Sequence, residues 1–265
     1  MSRLFPERLA LALYPDRLAW LKFGNWRTRR VEEKGAMVFE AHAAAMMQAV
    51  EQVVHDLPAK SHVSIVLSNR VVRYTCVPNP DEGRNASERL MLARHMFASI
   101  HGAAAEHWDI ALSHSALGKG ALASAVDASL IAGLRDVLKL KRLRLASLQP
   151  YLMAAFNMQR KALSKRAGLF SVAEPGRLCC VAWRDAGWMM VQQAHLEPDG
   201  SHEEGLLPRM RGMTGLIQPE SVHVTAPEFA SFHTDGLAAS PLQWLPGLSP
   251  TQDYAWGGAM LGAVR

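Results

Sequence analysis

Eleven histidines, three cysteines, one glycine-rich stretch and one run of cations are the residues in this 265-residue chain whose types and spacing could do chemistry. A metal would need ligands spaced to converge. His42, His55 and His62 are separated by loops and helix turns, with no acidic partner at a suitable offset, so no metal is assigned. Cys76, Cys179 and Cys180 are odd in number and lack a CxxC pair; the last two are adjacent and on a strand would point to opposite faces. Buried, reduced thiols are expected. Gly118-Lys119-Gly120-Ala121-Leu122-Ala123 fits the loose dinucleotide fingerprint, whose glycines let a backbone approach a pyrophosphate at a helix N-terminus. The residues after it read as a strand, so a hairpin turn is expected instead. HExxH, GxSxG and GxxxxGK[ST] do not occur. Asn85-Ala86-Ser87 matches a glycosylation acceptor, but Asn85 followed by Glu88 is a helix capping box, and without a secretion signal the cap is the better account. Arg135, Lys139, Lys141, Arg142 and Arg144, continued by Arg160, Lys161, Lys165 and Arg166, have the charge to meet lipid headgroups or an acidic partner. A solvated surface is the plainer reading, because no aromatics interleave them as a single-strand nucleic-acid platform requires.

Composition bounds these readings. With 49% hydrophobic and 20% charged residues, the chain is neither disordered, collagenous nor a disulfide-stapled miniprotein. Its length allows one large domain or two lobes with their own cores. The net charge of +5 and pI of 9.3 are a mild basic excess that leaves a nucleic-acid-binding module as a secondary reading. No stretch reaches the roughly 20 apolar residues of a membrane span; the best, 255–264, is too short. Pro6, Glu7, Asp16 and Arg17 interrupt any signal-peptide core, so a cytoplasmic protein is expected.

The elements that must position these residues follow from periodicity. Short β-rich runs from Arg8, split by turns at Pro15-Asp16 and Gly24-Asn25 and ending near Phe39, predict a three-strand meander. Met46, Met47, Val50, Val53, Val54 and Leu57 line one face of a helix over 42–57, and residues 63–67 form a strand covered on both faces. Strand 71–77, a loop at 78–83 and a helix with Leu90, Ala93, Phe97 and Ile100 on its buried face come next. Strands at 108–112 and 121–126, a helix after Asp127 carrying Leu130, Ile131, Leu134, Val137 and Leu138, a strand at 143–148 and a helix at 151–164 complete this part. Strands at 169–173, 178–184 and 188–195, a capped helix from Ser201 to about Gly215, and a strand at 221–225 then repeat the opening rhythm. Trp20, Trp26, Trp183 and Trp188 lie in or beside these strands, where packing accounts for them. Strand-strand-strand-helix-strand thus occurs twice, which marks an internal duplication.

That double meander resembles the actin-like ATPase fold, and more narrowly the PilM-like proteins of type IV pilus assembly and the cytoplasmic domain of the GspL-like proteins of type II secretion. The resemblance rests on LALALYPDRLAWLKF, VVRYTCVPNPDEGRNASERLMLARHMF, DASLIAGLRDVLKLKRLRLASLQPYLMAAFNMQ, GLFSVAEPGRLCCVAWRDAGWMMVQQ and the closing YAWGGAMLGAVR. It implies an α/β, two-lobed, ribonuclease H-like fold: a first lobe over 1–165 with an inserted subdomain at about 70–126, and a second over 166–265. In that family an Asp and a Gly-Ser-rich bend in the first hairpin turn hold Mg²⁺ and nucleotide phosphates. Here Tyr14-Pro15-Asp16-Arg17 stands in the first turn, Glu174-Pro175-Gly176 in the second, and Val224-Thr225-Ala226-Pro227-Glu228 replaces the Gly-Gly bend by the adenosine pocket. Asp16, Glu174 and Gly176 are therefore read as degenerate phosphate-loop residues, with no catalytic residue, no cofactor and ATP with Mg disfavoured. The implied function is a pseudo-ATPase scaffold that docks the cytoplasmic N-terminal peptide of a PilN-like bitopic inner-membrane protein, with Arg70, Arg73 and Arg94 near the groove. The assembly ATPase and a second copy of the chain are further implied partners. The C-terminal Leu261-Gly262-Ala263-Val264-Arg265 resembles the natural end of the PilM-like family, whereas GspL-like proteins continue into a membrane span. An active actin-like ATPase using Asp16 or Glu174 is the rival reading.

Overall fold

The computed structural model describes residues 6–24, 31–78, 85–114, 120–161, 163, 166–185, 187–197, 210, 212–213 and 222–225. Trp26, the loop 79–84, Gly118 and Lys119, Lys165, most of the expected helix from Ser201, Ala226-Pro227-Glu228 and the closing YAWGGAMLGAVR lie outside the described residues.

By contact the chain divides into two compact units. The first contains β1 (Arg8–Leu13), β2 (Arg17–Phe23), β3 (Val31–Val38), α1 (Ala43–Val54), β4 (His62–Leu67), α3 (Ala128–Leu140), β8 (Arg144–Pro150) and α4 (Tyr151–Gln159). Its five-stranded sheet has the order β3-β2-β1-β4-β8; β1 runs antiparallel to β2 and parallel to β4, and β4 parallel to β8. Leu9 through Leu13 are all buried, so central β1 is covered on both faces, as parallel neighbours require. Met46, Val50 and Val54 of α1 and Ile131, Leu134 and Leu138 of α3 are buried, the stripes that their i, i+4, i+8 and i, i+3, i+7 spacings predict. A Cβ on Gly133 would meet the Met47 sulfur at 2.9 Å, so this glycine lets α3 approach α1 closely.

The second unit contains β5 (Arg73–Val77), α2 (Ala86–His101), a 3₁₀ turn (Gly102–His107), β6 (Trp108–His114), β7 (Ala121–Asp127), β9 (Ala167–Glu174), β10 (Arg177–Arg184), β11 (Gly187–Ala194) and β12 (Val222–Thr225). One sheet has the order β11-β10-β9-β12, with β9 antiparallel to β10 and parallel to β12. Its first four positions mirror β3-β2-β1-β4, strand for strand and direction for direction. The expected duplication is therefore present as topology. A three-stranded antiparallel sheet, β5-β7-β6, carries α2. Gly120 at φ 85° leads into β7, so the residues after the glycine-rich stretch form a strand rather than a helix.

Several expectations are corrected. Within the second unit, segment 72–128 groups with 159–243, where β11 lies against β5 and Gln193 Nε2 donates to the Val72 carbonyl at 3.0 Å. Asn85 and Glu88 do form the reciprocal capping box, at 2.9 and 3.1 Å. Of the four apolar residues expected on the buried face of α2, Ala93 and Phe97 are buried, whereas Leu90 is 36% and Ile100 63% exposed. A three-stranded sheet covers only a narrow stripe of a helix. Helix α4 ends at Gln159, where a turn over Arg160 and Lys161 begins, not at 164.

Strand α/β connections also create strain. Helix α3 closes in a Schellman motif: the Leu143 N–H bonds the Leu138 carbonyl at 2.8 Å and the Arg142 N–H bonds that of Lys139 at 3.0 Å, with Leu138 and Leu143 both buried. The left-handed position is Arg142, at φ 55°, where glycine is usual. Lys60, at φ 69°, is its neighbour and donates its N–H to the Arg142 carbonyl at 2.8 Å. Each non-glycine residue in this region costs roughly 1–2 kcal/mol.

Candidate functional site

In the first unit, the carboxyl ends of parallel β1, β4 and β8 converge, the place where open α/β sheets bind ligands. The Ser68 N–H extends the β1–β4 ladder to the Leu13 carbonyl at 2.9 Å and so sets the turn after β4 beside the turn after β1. Residues 14–17 form a tight hairpin closed by the Tyr14 N–H to the Arg17 carbonyl at 2.9 Å. Pro15 leaves the turn one N–H short. Arg70 Nη1 donates to both Asp16 carboxylate oxygens, at 3.3 and 3.2 Å, and Arg17 Nε lies 3.9 Å from Oδ1. The Arg17 guanidinium also sits 4.6 Å from the centre of the buried Tyr14 ring. Asp16, the carboxylate of the first hairpin turn, is thus held by a guanidinium. Asn69, fully buried, accepts the Leu152 N–H at 3.0 Å and caps the first turn of α4 from a distant loop.

In the second unit, Glu174 and Arg177 face each other across a two-residue turn, Pro175-Gly176, with Gly176 at φ 84°. Proline followed by a positive-φ glycine is a type II turn. Both hairpins therefore read x-Pro-x-Arg, with the proline first and the arginine opening the next strand. Glu174 is fully buried. Arg177 Nε is buried without a hydrogen-bond partner among the described residues. Burial and the Arg177 charge hold Arg73 below the usual arginine value, and the Cys179 thiol opposes this slightly.

Arg70 belongs to the first unit; Arg73 and Arg94 belong to the second, Arg73 at the start of β5 and Arg94 exposed on α2. His42 and His55 do meet carboxylates, Glu40 at 3.3 Å and Asp56 at 2.9 Å, which corrects the expectation that they have no acidic partner. All four of those side chains are exposed, and no group of three or more potential ligands converges among the described residues.

Cys179 and Cys180 are buried on opposite faces of β10. Burial pushes Cys180 and Cys76 up to about 12; burial, then the Glu174 charge, raises Cys179 well above its usual value. Above a pH of about 9 the unfolded chain loses these thiol protons and the folded chain keeps them, so stability falls as pH rises toward about 12. Denaturant titrations at stepped pH are expected to show a shallower alkaline loss for Cys180→Ala, by about 1 kcal/mol per pH unit. Equal slopes would mean that the thiol ionises in the folded state.

These units, each with a 3-2-1-4 sheet and an x-Pro-x-Arg hairpin, have an actin-like α/β fold with mixed sheets. Solved structures share it. A chain of the PilM–PilN type IV pilus biogenesis complex superposes with a TM-score of 0.63 at 13% identity, covering 99% of this chain and 98% of that one. A Bacteroides thetaiotaomicron protein with an actin-like ATPase fold gives 0.58 at 8%, covering 96% and 95%. The cytoplasmic domain of EpsL, an inner-membrane component of the Vibrio cholerae type II secretion system, gives 0.53 at 14%, covering 89% and 90%. No protein-family model matches the chain, and neither does any curated sequence.

Proposed function

We propose that the chain is a non-catalytic cytoplasmic scaffold of a type IV pilus or type II secretion-like assembly platform. It lies at the inner face of the inner membrane and binds the cytoplasmic N-terminal segment of a PilN-like membrane partner. The observation that carries this reading is the Asp16–Arg70 pair, which occupies the one carboxylate of the first hairpin turn, in a chain that shares its fold with a chain of the PilM–PilN complex over almost its whole length. Among the described residues no helix is long and apolar enough to cross a membrane. The assembly ATPase and a second copy of the chain belong to the same reading as further partners, with Arg73 and Arg94 as candidate peptide contacts.

The buried Glu174 carboxylate at the second turn favours the rival reading, an ATP-binding actin relative. Thermal unfolding with and without Mg-ATP separates the two. A ligand at 100 times its Kd adds about 2.7 kcal/mol to the folded state. That corresponds to several degrees, at roughly 2–4 °C per kcal/mol. No shift at millimolar nucleotide is expected. A shift that Asp16→Ala and Glu174→Gln abolish would put the ATPase reading ahead.

A further inference from the structure

One end of the first unit gathers cations around an exposed apolar side chain. Leu140, the last residue of α3, is 79% exposed, although every turn of that helix up to Leu138 buries its apolar face. Lys139 precedes it, and Lys141, Arg142 and Arg144 follow. Lys60 is brought alongside by its N–H bond to the Arg142 carbonyl, and the Arg144 N–H bonds the Ser61 carbonyl at 2.9 Å. Lys141 is neutralised by Glu51 at 3.4 Å. Lys60, Lys139, Arg142 and Arg144 are exposed and make no ion pair with a described residue. Asp136, one turn back on α3, and Asp56, paired with His55, are the nearby carboxylates on these elements.

Backbone strain points the same way. Lys60 and Arg142 are two of the three non-glycine residues with positive φ among the described residues, and they are adjacent. Glycine would relieve both, yet both positions hold a cation. Strain kept at an exposed position is a motive for seeking function there.

We propose that this end of the unit, with Lys60, Lys139, Arg142 and Arg144 around Leu140, contacts an anionic phospholipid surface directly. Charge complementarity selects an anionic occupant, and each cation near such a surface attracts it independently. The projecting leucine selects a lipid bilayer over nucleic acid or an acidic peptide. An apolar side chain rimmed by cations enters the boundary between headgroups and acyl chains, whereas a soluble polyanion gives it nothing to bury in. This inference does not depend on the partner peptide, which a separate binding assay reads.

Sedimentation of the full chain with vesicles tests it. Binding is expected to vesicles of phosphatidylglycerol in phosphatidylcholine, to weaken as salt rises, and to vanish with phosphatidylcholine alone. Replacing Lys139, Arg142 and Arg144 together by Gln should weaken binding by about 100-fold. Leu140→Ser should weaken it several-fold while leaving its salt dependence intact. Arg142→Gly supplies a variant that cannot be dismissed as misfolded: it should unfold at higher temperature than the parent and bind vesicles more weakly. The proposal is overturned if the parent chain ignores phosphatidylglycerol, if the triple variant binds as before, or if Leu140→Ser binds vesicles as tightly as the parent. Parent-level retention of Leu140→Ser on polyanion resin, without vesicle binding by the parent, would assign the patch to a soluble polyanion instead.

Discussion

Phe97→Ala is expected to lower stability by about 4 kcal/mol, near the top of the range for such truncations. Phe97 is fully buried on α2 and packs edge-on against Trp108 at 5.8 Å and beside His101 at 6.4 Å. Its buried neighbours in the cluster are Val77, Ile110 and the alanines Ala93, Ala105, Ala121, Ala123 and Ala125, with Leu92, Met96, Trp108 and Leu112 packed against the edge. The alanines have no rotamer with which to fill a neighbouring void, so most of the cavity stays open unless Leu92, Met96 or Leu112 swings in from the edge. Melting should fall by roughly 10 °C. Phe97→Leu should recover about half of the loss. A drop of under about 1.5 kcal/mol for the alanine variant would show that α2 settles onto β5, β6 and β7 and that the helix is loosely held.

Lys22→Met is expected to cost about 3 kcal/mol, because it removes the ammonium beside a buried carboxylate. Glu7 is nearly inaccessible; its Oε2 lies 3.3 Å from Lys22 Nζ, while Glu33 offers the same ammonium a longer contact at 3.8 Å. The Glu7 backbone joins the amino ends of β1 and β4, its N–H donating to Ser61 Oγ at 3.2 Å and its carbonyl accepting from His62 at 2.9 Å. The pair therefore pins the same parallel strands whose other ends carry Asp16 and Arg70. Glu7→Gln combined with Lys22→Met should restore most of the stability, since the amide carries no charge to desolvate. Urea titration of the two single variants and the double variant gives the coupling directly. Strict additivity would remove the ion pair from the account.

The tryptophans show a packing device that spacing did not reveal. Trp20 lies opposite Gly35 and Trp183 opposite Gly168, and a Cβ on either glycine would fall within 2.1 and 2.3 Å of the facing indole. Each ring lies over a cross-strand glycine, so glycine makes room for the aromatic rather than for a turn.

The linear pattern alone determined the strands and helices, the Asn85–Glu88 cap and the duplication, because period-2 and period-3.6 burial and turn residues are local properties of the chain. It also put a proline in both hairpin turns, which removes an N–H from each wherever the turn is placed. Tertiary structure alone decided that Arg70 holds Asp16, that Asn69 caps α4, that Leu90 and Ile100 stay exposed, and that segment 72–128 groups with 159–243. Each of these joins residues far apart in the chain. In sequence Arg142 belongs to a run of cations and Lys60 stands far from it; only the fold places their strained backbones side by side near Leu140, because the left-handed φ of Arg142 is imposed by the closure of α3 and not by the residue that bears it.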